Sequence, residues 1–213
     1  RLLPRVVSLV EKARRGELYG VFDGIGSAPK GMEAAQQMCD LLPDFFRKSE
    51  LYSPDSKGME ALLLDGNQIV NGWGSMSERN APLGGCAGTV AWIWEDKVTI
   101  LHAGDTAAVR IRDGVVQELT RPHQTPDGAI FRYFGLGQNL KIDVTTYPLE
   151  EGDWILLLSD GVTKVIHPME VTKFLGDSEE IGRSVENLVR HSRSLKSSDD
   201  ITAVLVEIDE FWF

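Results

Sequence analysis

The sequence predicts an α+β fold: a four-layer α/β/β/α sandwich, with two antiparallel β-sheets flanked by helix pairs. Three observations carry this expectation. The segments run in the order strand, two helices, a run of strands, two helices and a last strand. Links between strands are of hairpin length, which suits antiparallel pairing and leaves no room for the crossovers that a parallel sheet needs. Two strand layers each present an outer face to cover, and the chain supplies one helical group for each.

Residues 5–15, RVVSLVEKARR, predict a short helix ending at Gly16, and Leu18 to Phe22 a buried strand. Residues 31–48 carry apolar side chains at Met32, Ala35, Met38, Cys39, Leu42, Phe45 and Phe46, a helical spacing that Pro43 must kink or end. A second helix over 57–71 packs Met59, Leu62, Leu63, Ile69 and Val70, and residues 71–85 form a loop rich in turn residues. The pattern then becomes β-rich. Strands are predicted at 87–95, 98–102, 107–112 and 115–119, with Asp113-Gly114 as the turn between the last two. Further strands fit 129–134, 142–147, 153–159 and 201–208, and helices fit 168–175 and 178–195. Trp92 and Trp94 alternate among apolar neighbours and read as packing residues.

The 213 residues read as one domain, 1–213, large enough to bury a core without disulfide staples. A net charge of −10 argues against a general nucleic-acid or anionic-membrane binder, because both surfaces would repel it. Cys39 and Cys86 read as reduced thiols, and no membrane-span or signal-peptide pattern is present, so the expected compartment is the cytoplasm. The chain opens on Arg1 rather than Met, so further sequence is expected upstream.

Four acids stand where strands end or begin. Asp23 follows the first strand in GVFDGIGS, and Asp160 follows a long apolar strand in WILLLSDGV. Asp105 lies in a glycine-containing break, LHAGDTAAVRI, and Asp199 precedes the last strand in SSDDITAVLVEI. A buried carboxylate is costly unless paired, hydrogen-bonded or bound to metal. Several at one end of a sheet would repel each other, and hard divalent cations would relieve that repulsion. Each acid alone reads more simply as a turn residue, as Asp113-Gly114 does. Periodicity does not say whether the four meet.

The motifs in their order resemble those of the metal-dependent protein phosphatases of type 2C, including the SpoIIE-like branch. GVFDGIGS resembles the family's first Asp-Gly motif, and GGCAGTVAWIW its entry to a central strand. LHAGDTAAVRIRDGVVQELTRPH resembles the Gly-Asp-Ser/Thr strand pair with a following Thr-x-x-His. YFGLG, WILLLSDGVTKVI and SSDDITAVLVEI resemble the last three elements, so the resemblance covers nearly the whole chain. It implies the four-layer sandwich and hydrolysis of phosphoserine or phosphothreonine on a protein, with two Mg²⁺ or Mn²⁺ ions activating a bridging water. It also implies residue roles: Asp23 bridges two ions, the Gly24 carbonyl ligates one, and Asp160 and Asp199 complete the first. Asp105 with Asp160 holds a third, weaker ion, and Asp200 is a less secure ligand. Asp23, Asp160 and Asp199 are thereby the expected catalytic residues. The implied partner is a phosphorylated protein, with no nucleic acid and no membrane.

Three departures accompany the resemblance. The family's acidic element before the first Asp-Gly is missing, and neither Glu11 nor Glu17 fits it. Ile25 stands where many members have a His that protonates the leaving group, a contribution worth about 10²–10⁴-fold. The segment from Thr120 to Leu136 is short where many relatives carry a flap, which suggests an open cleft. The first two departures motivate an alternative, a catalytically weak or inactive regulatory domain. A haloacid-dehalogenase-like enzyme is disfavoured because Asp23-Gly24-Ile25 lacks the second Asp that chemistry needs. His123 reads as a solvent-facing loop residue, and His102, His167 and His191 have no partner motif.

Overall fold

A computed structural model describes residues 15–75, 83–176 and 180–209. Strand β1 (Glu17–Gly24) leads into helices α1 (Gly31–Leu41), α2 (Asp44–Arg47) and α3 (Ser56–Ser75). Then come β2 (Cys86–Trp94), β3 (Lys97–Ala103), β4 (Ala107–Arg112), β5 (Val115–Glu118), β6 (Asp143–Pro148) and β7 (Trp154–Leu158). The chain closes with α4 (Asp160–Thr163), a 3₁₀ turn (Pro168–Glu170), α5 (Thr172–Leu175), α6 (Ile181–Ser194) and β8 (Ala203–Glu207). One sheet has the order β1-β2-β3-β6 and the other β5-β4-β7-β8. Every pairing is antiparallel.

Strand alternation builds three cores between four layers. Val90, Trp92 and Leu101 point to α1–α3, where they meet Met38, Phe45, Met59 and Leu62. Their neighbours Ala91 and Ile100 turn inward and meet Ile155 and Leu157 of the second sheet. Leu156 and Leu158 turn outward again, onto Leu175 and Leu188. Period-two side-chain alternation on two stacked sheets requires this arrangement. Trp92 and Trp94 stack with ring centroids 6.4 Å apart, and Phe45 meets Trp92 edge-on at 5.8 Å, so both tryptophans are packing residues.

Several sequence expectations need adjusting. Pro43 does end α1, and a separate short turn of helix follows it. The expected loop at 71–85 begins later, because α3 runs to Ser75. Met32 and Ile69 are exposed rather than packed. The helical stretch 168–175 splits into a 3₁₀ turn begun by Pro168 and a single α turn. The predicted strand at 129–134 does not form. Phe134 makes one bridge to Cys86, and Ile130 makes one to Gln124. Buried Asn67 of α3 holds the backbone just beyond this segment. Its Nδ2 donates to the Gly137 carbonyl and its Oδ1 accepts from the Gly135 amide, both at 2.8 Å, so the YFGLG stretch is drawn toward a helix. The predicted helix 5–15 lies outside the described residues, save Arg15.

The two sheets are also tied by polar chains. His102 is buried, and its Nε2 lies 3.1 Å from the Arg121 carbonyl, which can only accept. Nε2 therefore carries the proton, and Nδ1 accepts from Thr89 Oγ1 at 2.9 Å. Thr89 in turn accepts from Thr106 Oγ1 at 2.7 Å, linking β2 to the approach of β4. Such a chain needs a neutral imidazole. Burial, with nearby His123 adding to it, lowers the His102 pKa from 6.5 to about 4. At the far end of the sandwich, Arg112 grips fully buried Asp153 through two hydrogen bonds of 2.6 Å. Burial alone would raise the Asp153 pKa, but Arg112 and the Glu150 amide hold it below the usual carboxylate value.

Two predictions follow from these ties. Asp153→Ala removes two charged hydrogen bonds from Arg112, which keeps Glu150 and the Pro148 carbonyl, and should cost about 2 kcal/mol, measured by urea unfolding. For His102, the unfolded imidazole takes up a proton below pH 6.5 while the folded one stays neutral until about 4. Stability should therefore fall as pH drops through that window, by on the order of 3 kcal/mol. Comparing unfolding of the wild type with His102→Gln across pH 4–7 isolates this contribution, because the variant loses that slope.

Candidate metal centre

The topology delivers the four acids to one end of the sandwich. Asp23 and Gly24 close β1 opposite Ala87 and Cys86, at the start of β2. The β3–β4 connection carries Asp105 at the same end, since Gly88 pairs with Ala103 and Ala107 with Leu158. Asp160 leaves the end of β7, and Asp199 approaches the start of β8, where Ala203 pairs with Leu158. Two sheets thus contribute to one place, which no single stretch of sequence displays.

Close backbone approaches tighten the group. A side chain on Gly161 would sit 2.2 Å from the Asp200 carbonyl, so only a bare α-carbon lets the 199–200 turn lie against the start of α4. Ser159 fastens the same turn. Its hydroxyl donates to the Asp200 carbonyl and accepts from the Thr202 amide, both at 3.0 Å. A side chain on Gly24 would sit 2.5 Å from the Gly31 carbonyl carbon, so the start of α1 rests directly on the Asp-Gly backbone.

His123 is buried, not solvent-facing as its loop position suggests. Its amide donates to the Gly104 carbonyl at 2.7 Å, and its Nδ1 accepts from the Gly104 amide at 3.1 Å. Both backbone groups of a glycine held at φ +124° are thereby clamped, one residue before Asp105. With Nδ1 accepting, Nε2 donates to Asp143 at 3.0 Å, and Asp143 also receives Arg132 at 2.6 Å. The Thr-x-x-His spacing was the available signal: Thr120 accepts from the Ala108 amide at 2.9 Å and holds the other side of the same connection.

The electrostatics are those of crowded carboxylates. The Asp23 pKa is pushed up to about 8, first by burial and then by Asp160, Asp199 and Asp105. Asp105 is raised too, by burial and then by Asp160. Two buried carboxylate oxygens, Asp23 Oδ2 and Asp160 Oδ1, have no hydrogen-bond partner. Lys164 relieves part of the repulsion. Its ammonium lies 2.6 Å from Asp160 Oδ2 and 2.7 Å from Asp199 Oδ2, and it holds the Asp199 pKa below the usual range.

These features suit a hard divalent cation. Orphaned buried oxygens on neighbouring acids, one from each sheet, are donors that burial would otherwise penalise. Among the described residues, no three carboxylates, imidazoles or thiols converge on one point. Any ion here therefore draws on backbone carbonyl and water oxygens as well, a mixed shell that hard cations accept. Glu17 is excluded from that shell, since it pairs with Ile93 at the opposite end of β1 from Asp23. Glu11 and the missing acidic element fall outside the described residues. Ile25 is half-buried, with its amide donating to the Gly85 carbonyl at 2.9 Å, and its side chain offers no proton. Asp200 contributes its carbonyl to Ser159.

Comparison with known proteins agrees. The chain is 23% identical over 211 residues to a serine/threonine phosphatase, stp, of Listeria monocytogenes, covering 89% of this chain and 83% of that protein. Its fold matches the crystal structure of the phosphatase Stp1 from Staphylococcus aureus with a TM-score of 0.81 at 21% identity, covering 91% of this chain and 84% of that one. It likewise matches the catalytic domain of the phosphatase PstP, solved with two manganese ions, with a TM-score of 0.78 at 20% identity, covering 91% and 88% of the two chains. The family model for protein phosphatase 2C matches residues 8–205, and with nearly the whole chain so covered, this protein belongs to the protein phosphatase 2C family.

Proposed function

We propose that this protein is a metal-dependent serine/threonine phosphatase that removes phosphate from phosphorylated proteins. The observation that carries the reading is that Asp23, Asp105, Asp160 and Asp199 come from two sheets to one end of the sandwich, with buried carboxylate oxygens left unpaired on Asp23 and Asp160. A family member whose acids served only as turns would have no reason to crowd them until one is raised to about 8. The same crowding speaks against a purely regulatory domain.

In this reading Asp23 and Asp160 hold the ions between them, with the Gly24 carbonyl as a further oxygen donor. Asp199 supports the Asp160 side, and Asp105, aimed by the His123 clamp, serves a more weakly held ion. The manganese ions solved in PstP support Mn²⁺ or Mg²⁺ as the metal. When bound, such ions activate water near neutral pH and neutralise charge on the phosphoryl oxygens. The protein's own residues fix the ions in place. They supply no proton donor at Ile25, so the leaving alkoxide takes no proton from that position. That favours activated leaving groups over poor ones. The short segment between Thr120 and Leu136 supports a rim open to a folded phosphoprotein, as in the SpoIIE-like branch. Among the described residues, no helix is long and apolar enough to cross a membrane. Two free thiols, Cys39 and Cys86, support a reducing compartment such as the cytoplasm.

Hydrolysis of an aryl phosphate and of a phosphothreonine peptide should require Mn²⁺ or Mg²⁺. Asp160→Asn should lower kcat/KM at least 100-fold while leaving the circular dichroism spectrum unchanged. Undiminished turnover in excess chelator, or in Asp160→Asn, overturns the reading.

A further inference from the structure

Among the described residues, Lys164 is the one cation in an ion pair with two of the candidate ligands. It follows Asp160 by four residues, at the end of the single turn of α4, so helical spacing returns its ammonium to the Asp160 carboxylate. The other carboxylate it meets comes from the far side of β8, in the turn that Gly161 and Ser159 hold close. The two acids have four oxygens in all. Asp160 Oδ2 and Asp199 Oδ2 contact Lys164, and Asp199 Oδ1 accepts the Asp200 amide at 2.9 Å. Only Asp160 Oδ1 is left without a partner, and the other orphaned oxygen, Oδ2, belongs to Asp23. An ion between Asp23 and Asp160 finds open donors. An ion shared by Asp160 and Asp199 meets the Lys164 ammonium already in contact with both carboxylates.

We propose that Lys164 is a built-in competitor of the divalent cation: its ammonium fills the place between Asp160 and Asp199 and must be displaced before an ion can be shared by those two carboxylates. The inference rests on the reading of these acids as metal ligands. It makes the two ions unequal. The ion beside Asp23 displaces no contact of Lys164, whereas an ion shared by Asp160 and Asp199, distinct from the one at Asp105, binds more weakly because it must break two charged hydrogen bonds. It also gives the metal-free protein a reason to keep its 196–202 turn ordered, since a monovalent cation of its own already bridges that turn to α4. Lys164 is then a residue that sets metal affinity, not one that touches substrate.

Isothermal titration of the full chain with Mn²⁺ tests this, comparing wild type, Lys164→Met and Lys164→Arg. Lys164→Met should tighten the weaker ion about tenfold, and Lys164→Arg, which keeps the charge, should retain the wild-type affinity. Hydrogen exchange gives a second readout. Without metal, amides 196–202 should exchange faster in Lys164→Met than in wild type, and Mn²⁺ should restore their protection. If the Met variant does not fold, Lys164→Gln keeps a polar head without the charge and carries the same expectations. Unchanged or weaker Mn²⁺ binding in the neutral variants, or unchanged exchange at 196–202, overturns the role of Lys164 while leaving the metal reading intact. An absence of Mn²⁺ binding in every protein, wild type included, overturns the metal reading and this inference with it.

Discussion

Asp23 and Asp160 come from different sheets, and each leaves a buried oxygen without a partner where the sheets end together. Carboxylates brought this close repel one another, and burial deepens the cost because neither water nor a full set of donors can solvate them. The surrounding structure answers that repulsion. Ser159 and the bare Gly161 pull the Asp199 turn in, His123 clamps the backbone beside Asp105, and Lys164 supplies one positive charge. One lysine cannot neutralise four acids. The remaining repulsion is relieved by a proton, which Asp23 with its pKa pushed up to about 8 takes at neutral pH, or by a cation in its place.

This explains how rigidity is distributed. The polar chain from Thr106 through Thr89 and His102 to the Arg121 carbonyl runs across the sandwich next to the Asp105 connection. The His123–Asp143–Arg132 group braces the same connection from outside. Neither group needs to touch substrate. Both hold a strand connection that would otherwise carry a buried acid on a flexible turn. At the opposite end, Arg112 and Asp153 perform an ordinary structural service, closing a turn with a fully paired buried charge. The two ends thus use buried acids differently, and what separates them is whether every oxygen finds a partner.

Much of this was legible in the sequence, for identifiable reasons. Strands such as 107–112 follow from β-rich composition and from a turn, Asp113-Gly114, whose two residues both take positive φ as a two-residue hairpin requires. The layers followed from strand and helix order, and the four acids from their positions at strand ends. The misses share one cause. Residues 129–134 have strand composition but make only isolated bridges, Phe134 to Cys86 and Ile130 to Gln124, and buried Asn67 takes Gly135 and Gly137 just beyond them. His123 looked like a loop residue because its partners, Gly104 and Asp143, are distant in sequence. Lys164 was the more readable miss. Its spacing of four from Asp160 on a helical turn already places the two charges on one face.

Ile25 and Lys164 act on the same chemistry from opposite sides. Ile25 withholds a proton from the departing group, while Lys164 makes the second cation harder to seat. Neither removes a donor oxygen, so the capacity to bind metal is kept while the rate at a given metal concentration is lowered. A phosphatase built this way would need a higher level of free divalent cation than one whose acids stood unpaired, because the ion must displace a charge already in place. In the proposed reading the acids make hydrolysis possible, and the residues beside them set the ionic conditions under which it proceeds.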